Sequence, residues 1–189
     1  MVWKESASHI PVLTLIPLLV PITRVLEYGS GELSTVLFLD REIYPDLEKI
    51  TSLEDNGYWL EKIKGIKGNR LELLFSTEFT QANTDGYDLI FIDGPQDKGK
   101  RKNLIKKVSR LTLPIIVIHD SEEYLSSINN VSYIFDFVKP NVTVCNYFGI
   151  TQLEKAHSLI KDNFSELEED QHRWKDLFNN KLGDLCQKK

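Results

Sequence analysis

The chain has 189 residues, of which 41% are hydrophobic and 27% are charged, and its formal net charge is −5. This composition is typical of one globular domain and excludes a disordered or fibrous protein. The negative net charge disfavours a protein that coats nucleic acid, because such proteins carry a large excess of positive charge. The two cysteines, Cys145 and Cys186, form no C-x-x-C pair, so we expect a reducing, cytoplasmic location and neither a disulfide framework nor a structural zinc site.

An apolar segment, residues 10–22, lies near the start of the chain and reads IPVLTLIPLLVPI. It is shorter than the about 20 apolar residues that span a bilayer, and Pro11, Pro17 and Pro21 interrupt it. It also lacks the basic start and the small-residue cleavage site of a secretory signal peptide. The segment therefore predicts a helix buried against the domain and no membrane partner, with export of the chain as the alternative.

Five short apolar runs follow, each rich in isoleucine, leucine or valine and too short for a helix. Such runs are typical of strands that are buried on both faces of a sheet. They are residues 24–28, 50–53, 71–75, 87–93 and 115–119. Helical patterns separate them at residues 34–41, 58–66 and 98–111, with a weaker one at residues 122–128. This alternation predicts βαβ units and a parallel sheet.

The pattern changes after the fifth run. Residues 131–138 and 141–148 flank Lys139-Pro140 and predict a hairpin, and the chain from residue 151 onward has a helical pattern. Ser165 and Glu168 form an S-x-x-E capping box, which predicts the start of a new helix near Ser165. Gly183 is its expected end.

The last predicted helix carries an apolar stripe. Its members lie at near-helical spacing and are Leu167, Trp174, Leu177, Phe178 and Leu182. A stripe with large aromatic side chains needs a cover, because exposed apolar patches of that size are uncommon on monomers. Either the chain's own domain covers it, or a second copy does so and forms a homodimer through the C-terminal helix.

In an open parallel sheet, ligands bind beyond the carboxyl ends of the strands. The first strand is followed there by Gly29-Ser30-Gly31, whose glycines let the backbone turn sharply and approach a ligand closely. Glu54 and Asp55 follow the second strand, at the spacing of about 20 residues at which nucleotide-binding units place an acid on the ribose. Together these residues predict a nucleoside-binding site.

The charge of the residues beside the glycines distinguishes between two candidate nucleoside ligands. Ser34 replaces the third glycine of the dinucleotide fingerprint, and the Glu27 carboxylate just before the glycines would repel a pyrophosphate. The same carboxylate suits a cationic ligand. The pattern therefore favours S-adenosylmethionine, with its sulfonium and amino group, over NAD.

With these features the chain resembles class I S-adenosylmethionine-dependent methyltransferases. The matching segments are VLEYGSGELSTVLF, ITSLEDNGYW, YDLIFIDGP and IVIHDS, which cover roughly residues 24–121 in that order. The resemblance implies a doubly wound α/β fold with a mostly parallel sheet and a terminal antiparallel hairpin. That domain would span residues 1–150, and residues 151–189 would form a helical C-terminal extension. The most similar members O-methylate small molecules or glycans.

The resemblance also implies a cofactor site. Its residues would be Glu27, Gly29, Ser30, Gly31, Glu54, Asp55 and Asp93. Among them, Glu27 and the glycines would line the methionine part, Glu54 would bind the ribose hydroxyls, and Asp55 would lie near the adenine. Thr77 or Glu78 would flank the adenine as well.

Asp93, His119 and Asp120 are the candidate catalytic residues, because each follows a predicted strand at the same edge of the sheet. A carboxylate or imidazole there would take the proton of an acceptor hydroxyl. Alternatively, Asp93 and Asp120 would hold a divalent metal such as magnesium, which lowers the hydroxyl pKa. Related metal-dependent enzymes carry an asparagine where Ser121 stands, which weighs against the metal. The third alternative gives these residues no catalytic role.

All charged residues between Lys98 and Arg110 are basic. They form either a solvated helix face or, through Lys98, Lys100 and Arg101, a basic surface at the site that attracts acidic substrates. No aromatic residue interleaves them, which disfavours a nucleic-acid partner.

Three other functions stay open from the sequence. They are a non-catalytic cofactor-binding or partner-subunit module, an NAD-dependent oxidoreductase, and a nucleic-acid methyltransferase. The last lacks its N/D-P-P-Y/F signature, because the segment IDGP stands at that place.

Overall fold

The computed structural model describes residues 7–137 and 140–182, and a seven-stranded sheet lies at its centre. The strands are β1 Arg24–Tyr28, β2 Lys49–Glu54, β3 Leu71–Phe75, β4 Leu89–Ile92, β5 Ile115–Ile118, β6 Val131–Phe135 and β7 Val142–Cys145. Their order is β3-β2-β1-β4-β5-β7-β6. Strands β1 to β5 pair in parallel, whereas β7 runs antiparallel to β5 and β6. The predicted α/β fold with its terminal hairpin is confirmed.

Within the described residues, six α-helices surround the sheet. They are α1 His9–Leu19, α2 Ser34–Leu39, α3 Gly57–Ile63, α4 Lys98–Val108, α5 Ile150–Leu167 and α6 Gln171–Leu182. The weak helical pattern near residues 122–128 forms two short 3₁₀ turns instead, Ser121–Glu123 and Leu125–Ser127.

The two faces of the sheet are covered by two hydrophobic clusters. Leu89 and Phe91 of β4 pack into the cluster shared with α1, α2, α5 and α6, and Ile90 and Ile92 pack into the cluster shared with α4. This alternation follows from the period of two along a strand. All of β4 is buried, as predicted. The edge strand β3 differs, because it has a neighbour on one side only and leaves Leu74 and Phe75 exposed.

Helix α1 is buried from His9 to Pro17, which confirms that the apolar N-terminal segment is an internal helix of the domain. None of the helices in the described part of the chain is long and apolar enough to cross a membrane.

The predicted helix start near Ser165 is wrong. Ser165 lies within α5, because Leu153, Ile160, Phe164 and other buried residues continue the apolar spacing through it. The break comes three residues later at Glu168, where φ is +44°. Asp170 then caps α6, since its Oδ1 accepts a hydrogen bond from the Arg173 amide at 3.1 Å. The predicted end at Gly183 lies outside the described residues.

The apolar stripe of α6 packs against α1 of the same chain. Trp174 and Phe178 are completely buried, and Leu182 is 3% exposed. The chain's own domain is therefore the cover of this stripe, and a homodimer through the stripe is not supported. These side chains belong to the same cluster as one face of the sheet, so the C-terminal helices contribute to the core. The domain boundary near residue 150 stays a prediction.

Candidate functional site

The site begins at the carboxyl ends of β1 and β4, where two loops touch. Gly29 has a φ of +88°, and a Cβ there would lie 2.6 Å from the Gly94 amide nitrogen. Both the left-handed backbone and the close approach therefore require glycine. The Tyr28 carbonyl accepts the amides of Asp93 and Gly94 at 2.8 Å each, which fixes Asp93 beside the glycine loop.

Glu27 organises this loop from below. Its carboxylate is fully buried and accepts hydrogen bonds from Ser34 Oγ at 2.6 Å, Thr35 Oγ1 at 2.7 Å, and Ser52 Oγ. Thr35 Oγ1 in turn accepts the Gly31 amide at 2.9 Å. Burial raises the pKa of Glu27 to about 7, although the hydroxyl hydrogen bonds oppose the rise.

Glu27 lines neither of the two cavities at this edge of the sheet. The structure thus places it behind the cofactor site that the resemblance implies. Ser34, at the position of the third glycine, supplies one of the hydroxyls that hold this carboxylate.

The first cavity, of about 270 Å³, contains the other predicted cofactor residues. It is lined by Gly29, Ser30, Gly31, Glu54, Asp55 and Asp93. They meet because the ends of β1, β2 and β4 are adjacent in the sheet. Thr77 and Glu78 do not join them and line a separate, smaller cavity.

Glu54 is buried at the floor of the first cavity, with 5% of its surface exposed. Its Oε2 accepts the Ser30 amide at 3.1 Å, and its Oε1 accepts the Asn56 amide at 2.8 Å. Burial raises the pKa of this carboxyl, against the effect of these amides. Each oxygen keeps a lone pair, so the carboxylate is able to accept further hydrogen bonds from a diol.

Sequence reasoning missed Trp59, which lines both cavities. Its Nε1 donates to the Ser30 carbonyl at 2.7 Å, and the Lys62 ammonium lies 4.2 Å from the centre of its ring. A local signal was available. Asn56 caps α3 by accepting the Trp59 amide, so this residue lies in the first turn of a helix that begins beside the predicted ribose acid.

The predicted catalytic residues meet in one polar cluster. The His119 Nδ1 lies 2.8 Å from Asp93 Oδ1, and the Arg101 guanidinium contacts Asp93 at 3.5 Å and Asp120 at 3.4 Å. Arg101 also donates to the His119 carbonyl at 2.7 Å. Arg101 was predicted to reach the mouth of the site, but it is buried. It contacts the two acids and lines neither cavity at this edge of the sheet.

The hydrogen bonds of His119 fix its charge. Ser8 Oγ donates its one proton to the Pro140 carbonyl at 2.7 Å, so it acts as acceptor toward His119 Nε2 at 3.0 Å. Nδ1 must likewise donate to the Asp93 carboxylate. Both ring nitrogens therefore carry protons, and His119 is an imidazolium.

The pKa values agree with this assignment. Burial lowers the pKa of His119, but the carboxylates of Asp93 and Asp120 outweigh burial and raise it above its ordinary value. Burial raises the pKa of Asp93, but the charges of His119, His9 and Arg101 and the His119 hydrogen bond lower it to about 2. His119 is 4% exposed and lines neither cavity. This arrangement does not favour the predicted role of His119 as a general base.

The same cluster fits a divalent metal poorly. Asp93 and Asp120 share the Arg101 guanidinium, whose positive charge stands close to where their metal would bind. His9, Asp93 and His119 also bring potential ligand atoms within 4.8 Å of one another. However, a metal there would have to displace one of the two protons that His119 donates to Asp93 and Ser8. Asp120 itself faces neither cavity.

A second cavity, of about 500 Å³, adjoins the first and shares Gly31, Trp59 and Asp93 with it. His9 of α1 and Glu169, from the turn between α5 and α6, line its other sides. Of the three predicted catalytic residues, Asp93 alone lines both cavities. It is therefore the one of the three that is positioned to contact molecules in both cavities.

No family model and no curated protein matches this chain. Among solved structures, human Methyltransferase-like protein 13 in complex with SAH is similar, with a TM-score of 0.54 at 13% identity over 88% of this chain and 94% of that one. A spermidine synthase in complex with the transition state analogue AdoDATO has a TM-score of 0.52 at 16% identity over 78% of this chain and 61% of that one.

The spermidine synthase from Thermotoga maritima has a TM-score of 0.51 at 16% identity over 78% of this chain and 60% of that one. The chain thus spans about three fifths of the length of these synthases. The strand order, the terminal hairpin and these likenesses agree with the sequence resemblance. The chain has the class I methyltransferase fold.

Proposed function

We propose that this protein binds S-adenosylmethionine in the first cavity and transfers its methyl group to an acceptor in the second. The observation that carries the proposal is the convergence of the glycine loop, Glu54 and Asp93 on one cavity at the carboxyl ends of adjacent strands. In folds of this type that edge is where nucleoside ligands bind.

The residues present fit this cofactor. The Glu54 carboxylate would accept the ribose hydroxyls, and the ionised Asp93 would hold the positively charged methionine end. The loop amides of Ser30 and Gly31 are already bound to Glu54 and Thr35, so carboxylates dominate the polar groups that face the ligand. That set suits a cation and disfavours the pyrophosphate of NAD. When bound, the cofactor supplies an electrophilic methyl group on a sulfonium.

Asp93 serves this reaction as a positioning carboxylate. With a pKa of about 2 it takes up a proton poorly, and the His119 imidazolium and Arg101 keep it ionised. It would align the cofactor with the acceptor, because it borders both cavities. The proposal includes no metal, since Arg101 stands close to where Asp93 and Asp120 would bind one.

The resemblance points to a hydroxyl of a small molecule or glycan as the acceptor. The second cavity, of about 500 Å³, supports a small acceptor, because that volume is typical of sites for small molecules. A non-catalytic module of the same fold is the alternative that an activity measurement separates from this proposal.

Calorimetry with S-adenosylhomocysteine tests the cofactor site. We expect binding to the wild type and a loss of about 1–3 kcal/mol, or about ten- to a hundredfold in affinity, in Glu54→Ala. Glu61→Ala is the matched control, because Glu61 is exposed on α3 and lines neither cavity. The proposal fails if the wild type does not bind this ligand, or if it binds NAD more tightly.

A further inference from the structure

The second cavity is built from three parts of the chain that are distant in sequence. His9 comes from α1, Glu32 and Leu33 from the loop after β1, and Glu169 from the turn between α5 and α6. Because Trp59 and Asp93 line both cavities, a molecule in the second cavity would adjoin a nucleoside in the first. This inference rests on the proposed function and concerns which acceptor that cavity admits.

The charged groups of this cavity are mostly acidic. Among the residues that the structure describes, three carboxylates line it, those of Glu32, Asp93 and Glu169, and no lysine or arginine does. The charge of Glu32 is matched by Lys62 at 3.1 Å, and that of Asp93 is shared with His119 and Arg101. Glu169 forms no ion pair with any residue in 7–137 or 140–182. Its carboxylate is the one left for a ligand.

The basic residues that suggested an acidic substrate are engaged elsewhere. Lys98 pairs with Glu123 at 2.8 Å, and Lys100 donates to the Thr77 carbonyl at 3.3 Å. Arg101 lies behind Asp93 and contacts neither cavity. None of these three cations therefore stands ready to bind an anionic acceptor.

The wall formed by Trp59 and Glu32 already holds an ammonium group of the protein itself. The Lys62 Nζ lies over the Trp59 ring at 4.2 Å and contacts Glu32 at 3.1 Å. An aromatic face beside a carboxylate is a general way to bind an alkylammonium. Leu33 adds an apolar surface for the carbon chain of such a ligand.

We propose that the second cavity binds a hydroxyl acceptor that also carries an aliphatic ammonium group. Its ammonium contacts Glu169, and its alkyl chain lies between Leu33 and Trp59 and brings the hydroxyl to Asp93. There the hydroxyl oxygen would take the methyl group as the bond from that group to the sulfonium sulfur breaks, and the hydroxyl proton would pass to water. Glu169 is in this sense a specificity-determining residue, since it selects a cationic molecule over a neutral or anionic one of the same shape.

The test uses the protein saturated with S-adenosylhomocysteine and three probes of one shape, n-butylamine, 1-butanol and butyrate. We expect calorimetry to detect n-butylamine binding to the wild-type complex and neither of the other two. Glu169→Gln should weaken n-butylamine binding about tenfold and leave the affinity for S-adenosylhomocysteine unchanged. Glu154→Gln is the control, because Glu154 is an exposed residue of α5 that lines neither cavity.

Failure of this inference and failure of the proposed function give different results. If S-adenosylhomocysteine binds but n-butylamine does not, or if butyrate or 1-butanol binds equally well, the ammonium-bearing acceptor is wrong and the cofactor site stands. The same holds if Glu169→Gln binds n-butylamine like the wild type. If S-adenosylhomocysteine itself does not bind, the proposed function is wrong.

Discussion

Replacing Glu27 with glutamine should change how the stability of this protein depends on pH. The pKa of Glu27 is about 7 in the folded protein, against an ordinary value of 4.5. Between these values the folded state holds a proton that the unfolded state has lost, so the free energy of unfolding falls as the pH rises. The difference between a pKa of 4.5 and one of about 7 corresponds to a fall of about 3 kcal/mol in the free energy of unfolding. Glutamine has the same shape and no charge, so the variant lacks this fall.

Urea unfolding of both proteins from about pH 4.5 to about pH 8 measures the effect. The difference in unfolding free energy, variant minus wild type, should grow by about 3 kcal/mol over this range and level off at its upper end. Other groups titrate alike in both proteins and cancel. Glu61→Gln, an exposed control, should follow the wild type. Parallel curves for the wild type and Glu27→Gln would show that burial does not raise the pKa of Glu27, and would refute the reasoning.

Three further predictions concern the core and the polar cluster. Trp174→Ala should destabilise the protein by about 3–5 kcal/mol in denaturant unfolding, because Trp174 is fully buried against α1. The control Asn179→Ala, at an exposed position of α6, should change stability by less than about 0.5 kcal/mol. Equal effects of the two substitutions would contradict the packing of α6. Deleting residues 163–189 should abolish the cooperative unfolding transition, since α6 completes the main hydrophobic cluster, and a truncated chain that melts like the full one would disprove this. Nitrogen NMR at neutral pH should show both ring nitrogens of His119 protonated, and a single protonated nitrogen would overturn the imidazolium assignment.

The sequence by itself determined the sheet and most of the first cavity. Buried strands have a local signature, the short run of branched apolar residues, and parallel strands end at the same edge. For that reason the sequence alone predicts that Gly29, Glu54 and Asp93 lie together. The apolar α1 was also predictable as a buried helix, because its length and its prolines exclude a membrane span.

Tertiary structure alone decided what surrounds these residues and in which charge state they are. Ser8 and His119 are 111 positions apart, and their hydrogen bond sets the charge of the imidazole that local sequence left open as a base. Glu169 reaches the second cavity because α5 continues through Ser165 and turns at Glu168. Local patterns encode periodicity and caps, whereas contacts between distant elements and the burial that shifts a pKa depend on how the whole chain packs.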